Sequence, residues 1–134
     1  MTKKIMIVDD DPDIITSIKV GLTVLTNKYE ITSANNGKEC IDLLKNEEVE
    51  NPDLIVLDIM MPDINGWDVL DIIKNNRLWK DIPIVFITAL DDEDTIERGV
   101  KTNLYCIRKP FRIEELKETI EKVLEGDNVK NKMF

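Results

Sequence analysis

Four short apolar runs in this chain each end on a residue that can do polar chemistry. Ile5-Met6-Ile7-Val8 leads into Asp9-Asp10-Asp11, and Leu54-Ile55-Val56-Leu57 leads into Asp58. Ile84-Val85-Phe86-Ile87 leads into Thr88, and a fourth apolar stretch ends on Lys109-Pro110. Carboxylates are hard oxygen donors suited to a divalent cation. A hydroxyl and an ammonium can hydrogen-bond the oxygens of a phosphoryl group. Together these residue types suit phosphoryl transfer, provided that something gathers them. In an open α/β sheet ligands bind at the carboxyl ends of the strands, so the chemistry calls for a sheet whose strand ends share one edge.

The pattern between the runs supplies that sheet. Residues 4–8 read as a first strand. Asp11-Pro12 then reads as an N-cap followed by proline at the first helical position. Ile14, Ile15, Ile18, Leu22 and Leu25 recur at helical spacing to about Thr26. Residues 29–34 form a second strand, and Asn36 caps a helix carrying Cys40, Ile41, Leu43 and Leu44 that ends near Glu48. Asn51-Pro52 breaks the chain before a third strand at 54–57. Met60-Met61-Pro62-Asp63-Ile64-Asn65-Gly66 is rich in turn formers, and Trp67, Val69, Leu70, Ile72 and Ile73 make a third helix. A fourth strand covers 84–87, a short polar helix 91–100 and a fifth strand 104–108. A last amphipathic helix covers 112–125, with Ile113, Leu116, Ile120, Val123 and Leu124 inward and Gly126 as its stop.

Five βα units in succession predict a parallel sheet with helices on both faces. The fold class is α/β, a flavodoxin-like (βα)5 domain with strand order 2-1-3-4-5. In that order the first and third strands are neighbours, ~4.8 Å apart. Asp9, Asp10 and Asp58 then converge within reach of one cation. Three carboxylates so close repel one another, and Mg²⁺ with its preference for oxygen ligands relieves the repulsion. Asp58 stands alone at its strand tip and is the candidate nucleophile toward phosphorus. Thr88 and Lys109 are placed to bind phosphoryl oxygens. Each residue also has a plainer reading. Asp11 is an N-cap, Thr88 alone is a strand-end packing residue, Lys109-Pro110 alone is a turn, and Trp67 and Trp79 are packing residues. The joint register of Asp9, Asp10, Asp58, Thr88 and Lys109 favours the chemical reading.

Composition narrows the alternatives. At 134 residues, 43% hydrophobic, the chain is one domain's worth with a real core. A formal net charge of −9 disfavours non-specific nucleic-acid binding. The absence of histidine rules out a histidine-based triad, a histidine zinc site and a phosphohistidine on this chain. Cys40 and Cys106 lack metal-type spacing and are expected to stay reduced, with Cys106 a small core-edge residue. No apolar run approaches the ~20 residues that span a membrane, and the start has no signal-peptide core. The expected location is cytoplasmic.

The motifs Val8-Asp9-Asp10-Asp11, Asp58-Ile59-Met60-Met61-Pro62-Asp63-Ile64-Asn65-Gly66, Thr88-Ala89 and Lys109-Pro110-Phe111 resemble the receiver domain of two-component response regulators. The resemblance runs from residue 3 to about 125, with 1–126 expected as the receiver domain and 127–134 as a flexible C-terminal tail. It implies that Asp9, Asp10 and Asp58 hold Mg²⁺ together with the backbone carbonyl of Met60. Asp58 would be the phosphoacceptor, Thr88 the switch hydroxyl and Lys109 the phosphoryl-pairing lysine, with a cis bond to Pro110. The phosphoryl donor would be a sensor histidine kinase or a phosphotransfer protein, and the chain would signal to a downstream protein, with no direct nucleic acid and no membrane. It would be a regulator rather than an enzyme, catalysing only its own phosphotransfer and slow autodephosphorylation.

Two positions depart from the family pattern. Cys106 stands where the family usually has an aromatic switch residue, and Thr102 where it usually has glycine. Tyr105 stands where an acid would support dimerisation through the last helix, so the resemblance does not extend to that dimer. An alternative function is a Mg²⁺-dependent phosphohydrolase working through an aspartyl-phosphate, but Asp58-Ile59-Met60 lacks the second acid of such enzymes. A flavin-binding module on the same fold would want a Ser/Thr-rich loop where this chain has acids.

Overall fold

Strands that are apolar on both sides must have both faces of their sheet covered. The computed structural model, which describes residues 2–89 and 105–126, shows how this is done. Five parallel strands lie in the order β2-β1-β3-β4-β5. They are β1 (Lys3–Val8), β2 (Tyr29–Ala34), β3 (Leu54–Asp58), β4 (Ile84–Thr88) and β5 (Tyr105–Arg108). The described helices are α1 (Pro12–Leu25), α2 (Gly37–Lys45), α3 (Gly66–Lys74) and α4 (Ile113–Leu124). The flavodoxin-like strand order expected from the sequence is therefore observed. The short helix expected at 91–100, the family departure at Thr102 and the tail expected at 127–134 lie outside the described residues. No described helix is long and apolar enough to cross a membrane.

Because side chains alternate along a strand, the sheet feeds two cores. Met6, Val8, Ile55, Leu57 and Phe86 pack with Cys40, Ile41 and Leu44 of α2 and with Val69, Leu70 and Ile73 of α3. Ile5, Ile7, Leu54, Val56, Val85 and Ile87 pack with Ile15, Ile18 and Leu22 of α1 and with Leu116, Ile120 and Val123 of α4. Every residue of β3 and β4 is buried. At about 1.5–3 kcal/mol for each fully buried large aliphatic side chain, these two strands anchor the middle of the sheet. They are also the strands that end on Asp58 and Thr88. β2 is an edge strand and alternates between sheltered and exposed residues instead. Trp67 and Trp79 are both core residues, and the Trp67 ring lies 4.8 Å from that of Phe86, tilted by 47°.

Two helix starts follow the caps expected at Asp11 and Asn36, and a third cap is Asn65, expected only as a turn former. Asp11, Asn36 and Asn65 each accept a hydrogen bond from a backbone N–H of the helix they precede, at 2.9, 2.8 and 3.0 Å. Gly126 follows α4 with φ of +76°, the left-handed conformation that glycine adopts without strain. Three expectations shift. α2 ends at Lys45 rather than near Glu48, because Asn46 leaves helical geometry and its side chain accepts the Glu48 N–H at 3.0 Å. Leu25 and Ile72, counted with the apolar stripes, are exposed on the outer faces of α1 and α3. Ile113 and Leu124 are only half-buried, at the margin of the α1–α4 core.

Gly66 closes the loop that follows β3. Its N–H donates to the Ile59 carbonyl at 2.8 Å. A Cβ at this position would sit 2.6 Å from the Asp58 carbonyl oxygen and 2.7 Å from the Ile59 Cα. Both are backbone atoms, so the clash cannot be relieved by turning a side chain. Gly66→Ala should therefore destabilise the fold by about 1–3 kcal/mol. A urea melt reads this directly, and an unchanged midpoint would show that the loop yields more easily than its packing suggests.

Candidate functional site

The acidic triplet divides into three different jobs. Asp9 follows β1, and its N–H donates to the Ala34 carbonyl at 3.2 Å, carrying the β1–β2 ladder one residue further. Its side chain is wholly buried. One carboxylate oxygen accepts the Asp11 N–H at 2.9 Å, and the other accepts the Lys109 ammonium at 2.9 Å. Asp10 is exposed. Asp11 turns away to cap α1, as its plainer reading anticipated.

Asp58 arrives from the neighbouring strand. β1 and β3 pair with Val8 opposite Leu57, so Asp9 and Asp58 leave adjacent strands at the same level. Asp58 is 2% exposed. It accepts the Met60 N–H at 3.3 Å and lies 3.7 Å from the Lys109 ammonium. Carboxylate oxygens of Asp9, Asp10 and Asp58 all lie within 4.8 Å of one another. Thr88 ends β4 one residue beyond Ile87, the register partner of Asp58, and is buried. The Lys109 N–H donates to the Thr88 carbonyl at 2.7 Å, which brings the lysine round to the same edge. The bond from Lys109 to Pro110 is cis.

Electrostatics follow from this packing. Burial pushes the Asp58 carboxyl up from 3.8 to about 6, and the Asp9 charge adds to the rise; Lys109 and the Met60 N–H oppose it. Lys109 offsets only part of the rise because its short contact is to Asp9. Burial disfavours the Lys109 ammonium. The Asp9 hydrogen bond and the charges of Asp58, Asp9 and Asp10 outweigh that, so its pKa lies above the ordinary lysine value. With all groups ionised, three carboxylates and one ammonium leave two excess negative charges. That is the charge one divalent cation cancels.

Asp9, Asp10, Asp58, Thr88 and Lys109 thus lie at one edge of the sheet. The sequence reading missed an apolar cleft of about 370 Å³ beside Lys109. Its lining includes Ile14, Ser17 and Ile18 of α1 together with Ala89, Pro110 and Phe111. Phe111 was visible only as the last letter of a motif. Neither cysteine is an activated thiol: burial pushes Cys40 up to about 12, and it pushes Cys106 up to about 11 despite Arg108.

Comparison with known proteins agrees with this geometry. Residues 5–121 match the response regulator receiver domain. The chain is 32% identical over 130 residues to the alkaline phosphatase synthesis transcriptional regulatory protein PhoP of Bacillus subtilis, covering 96% of this chain and 51% of that protein. It is 36% identical over 121 residues to the response regulator SaeR of Staphylococcus aureus, covering 90% and 50%. The chain therefore spans about half the length of the curated relatives it matches. Among solved structures, the receiver domain of the Francisella response regulator 1452 is 29% identical with a TM-score of 0.79, covering 93% of this chain and 98% of that one. The phosphorylated cyanobacterial phytochrome response regulator RcpA is 28% identical with a TM-score of 0.77, covering 93% of each chain.

A parallel five-stranded sheet with an acid cluster and a lysine at its carboxyl edge defines an α/β domain with a ligand site at its strand ends. The chain belongs to the response regulator receiver domain family, the switch component of two-component systems. Domains of this family are switches rather than ordinary enzymes, and they generally bind Mg²⁺ at an acidic site. No observation favours the phosphohydrolase alternative.

The raised Asp58 pKa has a thermodynamic consequence. Between about pH 4 and 6 the folded protein holds the Asp58 proton and the unfolded chain does not, so this group makes stability fall as pH rises through that window. Asp58→Asn should remove the dependence. In metal-free buffer it should raise stability above pH 6 by on the order of 2 kcal/mol, with the gain fading toward pH 4. Urea melts at both ends of the window test this. A variant less stable than the parent at pH 7.5 would show that the Lys109 contact outweighs the repulsion.

Proposed function

We propose that Asp58 accepts a phosphoryl group from a phosphohistidine on a sensor histidine kinase or a phosphotransfer protein. The observation that carries this reading is the joint placement of Asp9, Asp10, Asp58 and Lys109 at one strand edge. An Asp58 carboxylate oxygen forms the new O–P bond while the N–P bond of the donor breaks and its electron pair returns to the imidazole. The ammonium of Lys109 pairs with a phosphoryl oxygen, and the Thr88 hydroxyl donates to another. Charge-assisted contacts of this kind stabilise the negative charge that spreads over the transferred group. The apolar cleft lined by Ile14, Ile18 and Phe111 adjoins Lys109 and suits the apolar face of the donor.

The acid cluster fits Mg²⁺ on two grounds: its donors are all hard oxygens, and its excess charge matches one divalent ion. Asp9, Asp10, Asp58 and the Met60 carbonyl would hold the ion, which supplies positive charge against the phosphoryl oxygens when bound. Asp10 is the candidate for direct ligation, because both oxygens of Asp9 already have partners within the protein. The receiver unit occupies residues 1–126, and its work is its own phosphorylation and slow autodephosphorylation. It operates in the cytoplasm and passes the signal to a downstream protein. A net charge of −9 argues against direct contact of this domain with nucleic acid.

Incubation with acetyl phosphate and Mg²⁺ should add one phosphoryl group, and chelation should stop it. Asp58→Asn should abolish the label, and label persisting at the parental level would remove Asp58 from its role. Asp10→Asn should weaken Mg²⁺ binding by about ten-fold or more. Asp9→Asn should also lower the stability of the metal-free protein, since it weakens the partner of a half-buried ammonium. Titration calorimetry and melts of the two variants separate these effects, and equal Mg²⁺ affinity in Asp10→Asn and the parent would count against direct ligation.

A further inference from the structure

The loop from Ile59 to Asn65 is tied at its two ends, and Met61 between them is buried in the α2–α3 core. One end is fixed where the Ile59 N–H donates to the Ile87 carbonyl at 3.1 Å. The other is fixed where Gly66 closes onto Ile59. Between them, Met60 is exposed, as are Pro62 and Asp63. Asp63 nevertheless reaches across to α2. One oxygen accepts the Lys38 N–H at 2.9 Å and the other accepts the Gly37 N–H at 3.3 Å.

These are two of the first N–H groups of α2, which have no partner within the helix itself. The third, on Glu39, is taken by the side chain of Asn36 at 2.8 Å. The start of α2 is thus satisfied partly by its own cap and partly by a residue 25 positions away in the loop after Asp58. Apolar contact reinforces the link. Gly37 has no side chain, and a Cβ there would strike the side chains of Ile64 and Val69. Ile64 therefore packs directly onto the helix backbone. Within Asp63, burial acts to raise its pKa, but the N–H groups of Lys38, Ile64, Gly37 and its own amide prevail and lower it, so the carboxylate stays charged.

We propose that Asp63, clamped on the N-terminus of α2, is a positioning residue that fixes the Met60 segment of the loop for Mg²⁺ binding and phosphorylation at Asp58. The inference rests on the function proposed above. It adds a residue that touches neither the cation nor the phosphoryl group and acts through the backbone of Met60. It also makes α2 part of the site's support, although none of the site residues belongs to that helix.

The test compares Asp63→Ala, Asp63→Asn, Gly37→Ala and Asn36→Ala by two measurements. One is amide hydrogen exchange at Ile59, Met60 and Met61 in the metal-free protein. The other is Mg²⁺ affinity by calorimetry. Asn36→Ala removes a cap from the same helix without touching the loop, so it controls for loss of helix stability alone. Asp63→Ala should speed exchange at Met60 and Met61 and weaken Mg²⁺ binding by about ten-fold. Gly37→Ala should do the same by displacing Ile64, whereas Asn36→Ala should leave both readouts near the parent. Asp63→Asn keeps an acceptor oxygen and should recover most of the affinity. If Asp63→Ala and Asn36→Ala behave alike, Asp63 merely caps a helix and the proposal is overturned. A parent protein that binds no Mg²⁺ would defeat the functional reading instead, and the metal-free exchange would still decide whether the clamp holds the loop.

Discussion

The confinement of like charge at the end of a buried sheet governs this structure. Asp9 and Asp58 are both removed from water, with carboxylate oxygens within 4.8 Å of one another and of Asp10. Bringing carboxylates together in this way is unfavourable unless positive charge accompanies them. Lys109 supplies one such charge, 2.9 Å from Asp9 and 3.7 Å from Asp58. The unequal distances matter. Asp9 is paired and held, while Asp58 is left with a raised pKa and an incomplete partner. Of the two buried carboxylates, Asp58 is the one that the protein's own charges satisfy less.

Such an arrangement persists only if the surrounding structure prevents the groups from separating. β3 and β4 are buried along their whole lengths, and the two cores grip them from opposite faces. The strain of the acid cluster is therefore set against the burial of many large apolar side chains. Backbone ladders that continue past the strand ends, through Asp9, Ile59 and Lys109, hold the reactive residues in line with the sheet. Gly66 and Asp63 then restrain the loop that leaves Asp58 from two directions. The site is thus mounted on buried strands, and the loop after Asp58 is tethered to its surroundings.

The fifth strand distributes its side chains as alternation requires. Cys106 packs toward the α2–α3 core opposite Phe86, and Tyr105 packs toward the α1–α4 core. The two positions cannot substitute for each other, because a side chain cannot cross the sheet. Cys106 packs as a small apolar filler, and burial raises the pKa of its thiol.

Much of this protein was legible in its sequence. Continuous apolar runs, helical stripes between them, and caps at Asp11 and Asn36 declare the α/β alternation, because these signals act over a few residues. The polar residues that end the runs declare the site once the strands are taken as parallel neighbours. Local signals were weakest where competing local bonds decide, as at Asn46, which stops α2 early. Three things depended on tertiary structure alone. The different roles of Asp9 and Asp10 follow from Lys109, a hundred residues away from Asp9, choosing Asp9. The displaced pKa of Asp58 follows from burial by neighbouring elements. The clamp of Asp63 on α2 joins residues 25 positions apart that carry no mark of each other in the sequence. Charge coupling and desolvation depend on distance through space, and only the folded chain sets that distance.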